Sequence, residues 1–141
     1  MLELKQIGKS FDGVPVLKDI SIRVEDGEIV SILGPSGCGK TTLLNIILGI
    51  LDADAGQILY NGEDLTHTPM EKRGFNIVFQ DYALFPNLNV RQNITYGLRN
   101  KPGISTEAEV QDMIALLGLG DHLNKRIDQL SGGQKQRVAL A

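Results

Sequence analysis

The stretch Gly34-Pro35-Ser36-Gly37-Cys38-Gly39-Lys40-Thr41 decides the fold class of this chain of 141 residues. It satisfies the pattern G-x-x-x-x-G-K-[S/T], and a short apolar run at residues 29–33 comes directly before it. The segment that follows, residues 40–50, is apolar almost all round and predicts a buried helix. A strand, a glycine-rich loop and a helix in this order are typical of an α/β protein with a parallel sheet.

The same loop is suited to holding the phosphates of a nucleoside triphosphate. Its glycines allow backbone angles and close approaches that a Cβ atom would block, so the loop amides can point inward around an anion. The start of the following helix adds its positive end, and Lys40 supplies a mobile charge for the β- and γ-phosphates. The hydroxyl of Thr41 is a hard oxygen ligand suited to Mg²⁺. We therefore predict these nucleotide-binding residues: Gly34, Ser36, Gly37, Cys38, Gly39, Lys40, Thr41 and Thr42.

This loop alone does not choose among GTPases, kinases, helicases and transport ATPases. The composition restricts the class of protein further. Apolar residues make up 42% and charged residues 22%, which is typical of a soluble globular chain. The net charge of −3 argues against a non-specific nucleic-acid binder. The single cysteine, Cys38, excludes a disulfide framework or a cysteine zinc site and fits a reducing cytosol. The longest apolar stretch, residues 43–51, is too short to span a bilayer, so we expect a chain that is soluble when isolated.

Hydrophobic periodicity and turn residues divide the chain into a sheet-rich front, residues 1–80, and a helical rear, residues 81–141. The predicted strands are residues 2–7, 20–24, 29–33, 56–60 and 75–79, with turns at Asp26-Gly27 and Asn61-Gly62. In the rear part, Asn89 caps a helix through about Leu98, and a loop follows at residues 101–103. A capping box formed by Thr106 and Glu109 opens the next helix, which Gly118 ends.

A second motif, Leu130-Ser131-Gly132-Gly133-Gln134, lies near the end of the chain. Ser131 and Gln134 have the spacing of a capping box that opens a helix running to Ala141. The two glycines weaken that helix by about 1 kcal/mol each relative to alanine, but they leave the first-turn amides bare. An ordinary capped helix is one interpretation. The bare amides favour the other, an anion that lies against them.

With both motifs in this order, the chain resembles the nucleotide-binding domain of ABC transporters, whose signature LSGGQ stands letter for letter at residues 130–134. The resemblance covers the whole chain. It implies a P-loop NTPase fold with a RecA-like core, an ABC β-subdomain and a helical subdomain. It also implies that two such domains pair head to tail, as a homodimer. ATP then lies between the phosphate loop of one subunit and the signature of its partner, where it is bound by Ser131, Gly132, Gly133 and Gln134.

Two further residues match family positions. Phe11 matches the aromatic residue that stacks on adenine, although a core residue closing a hairpin is the alternative from the sequence alone. Gln80 matches the glutamine that reaches Mg²⁺ and the attacking water, whereas a glutamine after a strand is otherwise read as a surface residue. The resemblance thus implies Thr41 and Gln80 as metal ligands, Gln80 and Lys40 as catalytic residues, and ATP and Mg²⁺ as cofactors.

The stretch from Phe79 to Val90 is most similar to the importer branch of the family, whose members serve polyamines, ferric ion, sulfate or sugars. This similarity implies an ATP-binding subunit at the cytoplasmic face of the cell membrane. The region after Gln80 then contacts membrane-spanning permease subunits, a solute-binding protein acts indirectly, and no nucleic acid is involved. Tyr82, Leu84 and Phe85 are unusually apolar for a loop, which fits an interaction patch or packing beneath the helices. The sequence does not identify the transported solute.

The family's apolar strand ending in Asp and the general-base Glu after it (the Walker B region) do not occur before Ala141. We therefore expect a domain truncated before that strand. The full-length protein would hydrolyse ATP, while these 141 residues alone would be nearly inactive and would either oligomerise or be marginally stable. The alternative functions are a soluble ABC ATPase without membrane partners and a hydrolysis-dead nucleotide-binding fragment. His67 and His122 have no partners at ligand spacing and are expected to be exposed structural residues.

Overall fold

The chain divides into two units, Met1–Ile77 and Val78–Ala141, in a computed structural model that describes residues 1–100 and 103–141. Two residues of the loop predicted at 101–103, Lys101 and Pro102, lie outside the described part. Each unit has its own buried cluster and is described by itself.

The first unit contains an antiparallel sheet of four strands in the order β2-β1-β3-β4. Two predicted strands are confirmed but are longer than expected, because the hairpin at Asp12-Gly13 lets β1 and β2 pair as far as Phe11 and Val14. The predicted turn at Asn61-Gly62 is also confirmed. These two residues have φ of 50° and 84°, as a type I′ hairpin turn requires. The strands are β1 (Leu2–Phe11), β2 (Val14–Val24), β3 (Ala55–Tyr60) and β4 (Glu63–Asp64).

Helix α1 (Lys40–Leu48) supplies the helical part of this unit's core, and a single turn, α2 (Met70–Arg73), follows the sheet. The helix ends two residues earlier than predicted because Gly49 adopts the left-handed conformation and closes it with backbone hydrogen bonds. Side chains from the helix and the sheet share one buried cluster, which contains Leu4, Ile7, Leu17, Leu43, Ile46, Ile58 and Leu65.

Two predicted strands, residues 29–33 and 75–79, are wrong: neither run is a strand in the structure. Ile29 and Leu33 are 94% and 89% exposed. A buried parallel strand exists only when neighbours on both sides satisfy its amides and carbonyls. Among residues 1–100 and 103–141, no segment forms a ladder with either run, and the sheet that does form is antiparallel.

The second unit is helical, and its first predicted helix differs in detail from the structure. The Asn89 cap is confirmed, with a capping box to Gln92, but the helix stops at Thr95 and a second short helix begins. The hydroxyl of Thr95 donates to the carbonyl of Arg91 at 3.0 Å, a local bond of the kind that competes with regular helix geometry. The helices are α3 (Val90–Ile94), α4 (Tyr96–Asn100), α5 (Glu107–Leu116) and α6 (Gly132–Leu140), with 3₁₀ turns at Gly120–His122 and Ile127–Gln129.

Helix α5 begins and ends where the sequence predicts. Thr106 and Glu109 form the capping box, and Gly118 takes the left-handed conformation after the last turn. There the amides of Gly118 and Leu119 donate to the carbonyls of Ala115 and Ile114, which is the Schellman arrangement. The buried cluster of this unit joins α3, α5 and α6 and contains Val90, Val110, Ile114, Leu119, Ile127, Leu130 and Val138.

The carboxylate of Glu109 makes the start of α5 sensitive to pH. Its Oε2 accepts hydrogen bonds from the amide and the hydroxyl of Thr106 at 2.7 and 3.0 Å, and these bonds lower the pKa of Glu109 below its ordinary value. A carboxyl whose pKa is lower in the folded state contributes stability above its unfolded pKa and loses it as pH falls through the folded pKa. We therefore expect the urea midpoint of the native chain to fall more steeply between about pH 5 and pH 3 than that of Glu109→Gln. Asp112→Asn, on the same helix, is the control, and equal slopes for the native and Glu109→Gln chains would contradict the prediction.

Candidate functional site

The phosphate loop adopts a conformation that its glycines make possible. Gly37 and Gly39 have φ of 80° and 89°, in the left-handed region. A Cβ atom on Gly39 would lie 2.9 Å from Cδ2 of Leu17, and one on Gly34 would lie 2.6 Å from Sγ of Cys38. The loop therefore packs against β2 and against itself at distances that a larger residue would not allow.

The ammonium of Lys40 is folded back over this loop. Its Nζ donates to the carbonyl oxygens of Gly34 and Pro35 at 2.8 and 2.7 Å and lies 3.5 Å from Sγ of Cys38. The loop thus carries a positive charge beside the N-terminal end of α1, whose cap residue, Gly39, offers no side-chain acceptor. An anion bound there would meet both the ammonium and the free first-turn amides.

A cleft of about 280 Å³ connects this loop with Phe11. Phe11 is the last residue of β1, and the residue is 44% exposed. The alternative that Phe11 is a core residue is therefore wrong. The structure brings together six of the predicted nucleotide residues, and the cleft is lined by Phe11, Val16, Gly37, Gly39, Lys40, Thr41 and Thr42.

Val16 is a lining residue that the sequence analysis missed. It lies on β2, and its Cγ1 would be 3.0 Å from a Cβ atom on Gly39, so it forms part of the wall against which the loop is set. A signal existed: Val14 and Val16 stand two residues apart just after Phe11, a spacing that places both side chains on one face of a strand. The remaining predicted loop residues, Gly34, Ser36 and Cys38, do not line the cleft and are exposed.

The signature motif opens α6 in the second unit. The Ser131 hydroxyl accepts from the amide of Gln134 at 3.3 Å, and Oε1 of Gln134 accepts from the amide of Ser131 at 2.8 Å, so the predicted capping box is confirmed. A Cβ atom on Gly133 would meet nothing within 4 Å, while one on Gly132 would lie 3.5 Å from the hydroxyl of Tyr82. The first turn of the helix is therefore open above Gly133.

His122 is not the isolated, exposed residue that the sequence predicts. Its Nε2 lies 3.0 Å from Nε2 of Gln134, and its Nδ1 is buried without a hydrogen-bond partner among the described residues. The 3₁₀ turn Gly120–His122 brings the ring back to the start of α6, a contact that no periodicity signals. His67, by contrast, is exposed as expected.

The loop after Phe79 begins the second unit, and Gln80 is exposed at its start. Its apolar residues have different environments. Leu84 packs against the buried cluster of that unit, whereas Phe85 is exposed and its ring lies 4.3 Å from that of Tyr96, centroid to centroid. Tyr82 is half-buried beside the signature helix. Phe85 of the loop and Tyr96 of α4 therefore form an aromatic pair on the surface of this unit.

A family model described as "ABC transporter" matches residues 17–141. The chain belongs to the ABC transporter family. Curated relatives in that family include the spermidine/putrescine import ATP-binding protein PotA of Spiroplasma citri, which is 51% identical over all of this chain and 41% of its own length. The protein of the same name from Fusobacterium nucleatum is 46% identical over 99% of this chain and 38% of its own length. The chain thus spans about two fifths of the length of these relatives.

Solved ABC structures share the fold. The dimeric post-hydrolysis structure of the ATP-binding cassette MJ0796, bound to ADP and Pi, superposes with a TM-score of 0.81 at 31% identity, over 99% of this chain and 67% of that one. The cbiO1 protein of Clostridium perfringens, part of an ABC transporter complex, gives 0.85 at 31% identity, over 99% and 59%. The predicted fold class, an α/β P-loop NTPase of the ABC type, is confirmed.

A threonine of the cleft could serve as a ligand for the magnesium ion of a bound nucleotide. No group of three or more His, Cys, Asp or Glu residues in the described part of the chain is arranged to hold a metal. Mg²⁺ keeps several waters and takes one or two protein oxygens together with phosphates, so the single hydroxyl of Thr41 in the cleft is a suitable ligand. Within the same described part, no helix has the length and apolar character needed to cross a bilayer.

Proposed function

We propose that this chain is the nucleotide-binding part of the ATP-binding subunit of an ABC-type importer, which couples ATP binding and hydrolysis to solute transport. The observation that carries the proposal is the cleft, with an exposed aromatic ring at one end and a cationic glycine loop at the other. A ring that can stack on a base and a loop that can surround phosphates are the two parts that a nucleotide needs. Curated relatives named as import ATP-binding proteins support the transport role.

The residues take these roles in the proposal. Phe11 stacks on adenine, while Lys40 and the loop amides hold the β- and γ-phosphates. Thr41 and Gln80 are ligands for Mg²⁺, which neutralises phosphate charge when bound. Gln80 also orients the attacking water in the complete protein. The functional division follows residues 1–80 for the nucleotide cleft and 81–141 for the signature region.

The signature region completes the site of a second subunit in this proposal. The backbone at Gly132 and Gly133 is presented by a helix start whose cap is already formed by Ser131 and Gln134. Such a preformed turn can receive the phosphates of ATP held by another copy, which makes a head-to-tail homodimer the working unit. The description of MJ0796 as a dimer bound to ADP and Pi is in keeping with this arrangement.

The membrane partners in the proposal are permease subunits that dock on the loop after Gln80, at the cytoplasmic face of the membrane. The exposed Phe85–Tyr96 pair is the support for this contact, because paired aromatic rings at a surface are common anchors of interfaces. The names of the curated relatives make a polyamine the first solute to test.

Titration calorimetry with ATP, AMP and inorganic tripolyphosphate, each with Mg²⁺, tests the nucleotide site. ATP should bind more tightly than either of the other two, because only ATP engages both ends of the cleft. Failure to bind ATP, or equal affinity for ATP and tripolyphosphate, would overturn the proposal. Phosphate release measured in the same samples separates an active ATPase from a module that binds without turnover.

A further inference from the structure

Lys9 lies against one face of the Phe11 ring, which borders the cleft. It precedes Phe11 by two residues on β1, so both side chains emerge on the same face of the strand. Nζ of Lys9 lies over the ring of Phe11, 5.5 Å from its centroid, and the Lys9 side chain is only 13% exposed. An ammonium at this distance from a ring face is attracted by the π-electrons.

Asp54 holds that ammonium in place. Its Oδ1 accepts from Nζ of Lys9 at 2.6 Å, and its Oδ2 accepts from the amide of Ser10 at 2.7 Å. The amide of Asp54 donates in turn to the carbonyl of Gly8 at 2.9 Å, so the residue is bound to β1 through three contacts. The hydrogen bond from Lys9, and after it that from Ser10, lowers the pKa of Asp54 below its ordinary value.

These contacts converge where β1 is irregular. The register between β1 and β2 shifts between Lys9 and Ser10, and the last pair between β1 and β3 is Gly8–Ala55, which follows a register shift after Lys5. Beyond that pair the carboxylate of Asp54, just before β3, supplies the acceptor for the amide of Ser10. The segment that carries Phe11 is thus fixed by a side chain at the point where the β3 ladder stops.

We infer that Lys9 and Asp54 are positioning residues for the base-binding end of the cleft. They fix the orientation of the Phe11 ring. The ammonium of Lys9 lies against one face of the ring, and the face toward the cleft is left to stack on a purine. The inference rests on the proposed function and adds to it. Phe11 borders the cleft and Lys9 does not, so the cation stays behind the ring. A ring that is already oriented loses less conformational freedom when a ligand binds, and a cation behind it draws π-density away from the free face.

The competing explanation is that Lys9 and Asp54 form an ion pair that only stabilises the sheet. The two explanations predict effects on different ligands. An ion pair that only stabilises the sheet would weaken every ligand of the cleft alike, or none. A positioning role weakens ATP and leaves tripolyphosphate unchanged, since tripolyphosphate has no base to stack on Phe11.

The test is titration calorimetry on Lys9→Met, which keeps the apolar stem and removes the charge. ATP affinity should fall about two- to fivefold, while tripolyphosphate affinity is unchanged. Lys5→Met is the matched control, because Lys5 lies on the same strand and is also paired, to Glu3 at 3.3 Å, but does not border Phe11. In a Phe11→Leu background, Lys9→Met should have no further effect on ATP.

Two outcomes with Lys9→Met would overturn the inference. If Phe11→Leu weakens ATP binding and Lys9→Met does not, Lys9 has no positioning role. If Lys9→Met weakens ATP and tripolyphosphate equally, its role is general stability. Should Lys9→Met fail to fold by circular dichroism, Asp54→Asn carries the same expectation with the side-chain shape retained. Equal affinity of the native chain for ATP and tripolyphosphate would instead remove the proposed function, and the inference with it.

Discussion

Replacement of Lys40 by methionine should weaken ATP binding by up to about 100-fold, because a charge-assisted contact with phosphate contributes up to about 3 kcal/mol and each tenfold change in affinity corresponds to about 1.4 kcal/mol. The ammonium already lies over the loop, bonded to the carbonyls of Gly34 and Pro35, so the charge is in place before any ligand arrives. Methionine keeps most of the stem and removes the charge together with both hydrogen bonds. Titration calorimetry with ATP and Mg²⁺ measures the change.

Lys18→Met is the control, since it removes the same charge from an exposed position on β2. The native and Lys18→Met chains should bind ATP equally. Unchanged affinity in Lys40→Met would contradict the role of the loop. A urea titration of the same variant shows whether a loss of binding is a loss of folding, and we expect its midpoint to move little.

The second large effect should be a loss of stability when Arg73, which is not a predicted site residue, is replaced. The residue is only 4% exposed, and its guanidinium donates to four backbone carbonyls. Two of these belong to the last turn of α1, Ile46 and Ile47, at 2.8 and 2.9 Å. The other two belong to Thr66 and Thr68, which precede α2. Their carbonyl oxygens lie 3.1 and 2.6 Å from the guanidinium nitrogens. Arg73 therefore closes the C-terminal end of α1 with the charge that a helix terminus favours.

Arg73→Met should lower the free energy of unfolding by about 3 kcal/mol, because buried carbonyls that lose their donors keep the full penalty of desolvation. That is a large share of the roughly 5–15 kcal/mol by which a domain is stable. Urea denaturation followed by circular dichroism measures it. The adjacent Lys72 is exposed, so Lys72→Met is the matched control and should change stability by less than about 0.5 kcal/mol. A similar small change for Arg73→Met would contradict the role assigned to its guanidinium.

The parts of the structure that sequence predicted well are those decided over three or four residues. The capping boxes at Thr106–Glu109 and Ser131–Gln134 form as expected because each needs only its own two side chains and adjacent amides. The glycine loop is similar, since the φ values at Gly37 and Gly39 are properties of single residues.

Features decided by distant partners could not be predicted from the same patterns. Residues 29–33 have the composition of a strand, yet a strand also needs a neighbour, and none pairs with them in the described ranges. The Lys9–Asp54 pair joins residues 45 positions apart, and the contacts from Arg73 to α1 span 26 and 27 positions. No periodicity or turn signal carries such information, because it arises only when separate elements pack.

The contact between Gln134 and His122 restricts which tautomer the histidine ring can adopt. Oε1 of Gln134 is used by the amide of Ser131, so its amide nitrogen faces Nε2 of the ring. That ring nitrogen must carry a lone pair to accept, which leaves the proton on Nδ1. The glutamine that caps the signature helix thus determines which nitrogen of a ring 12 positions upstream accepts a hydrogen bond.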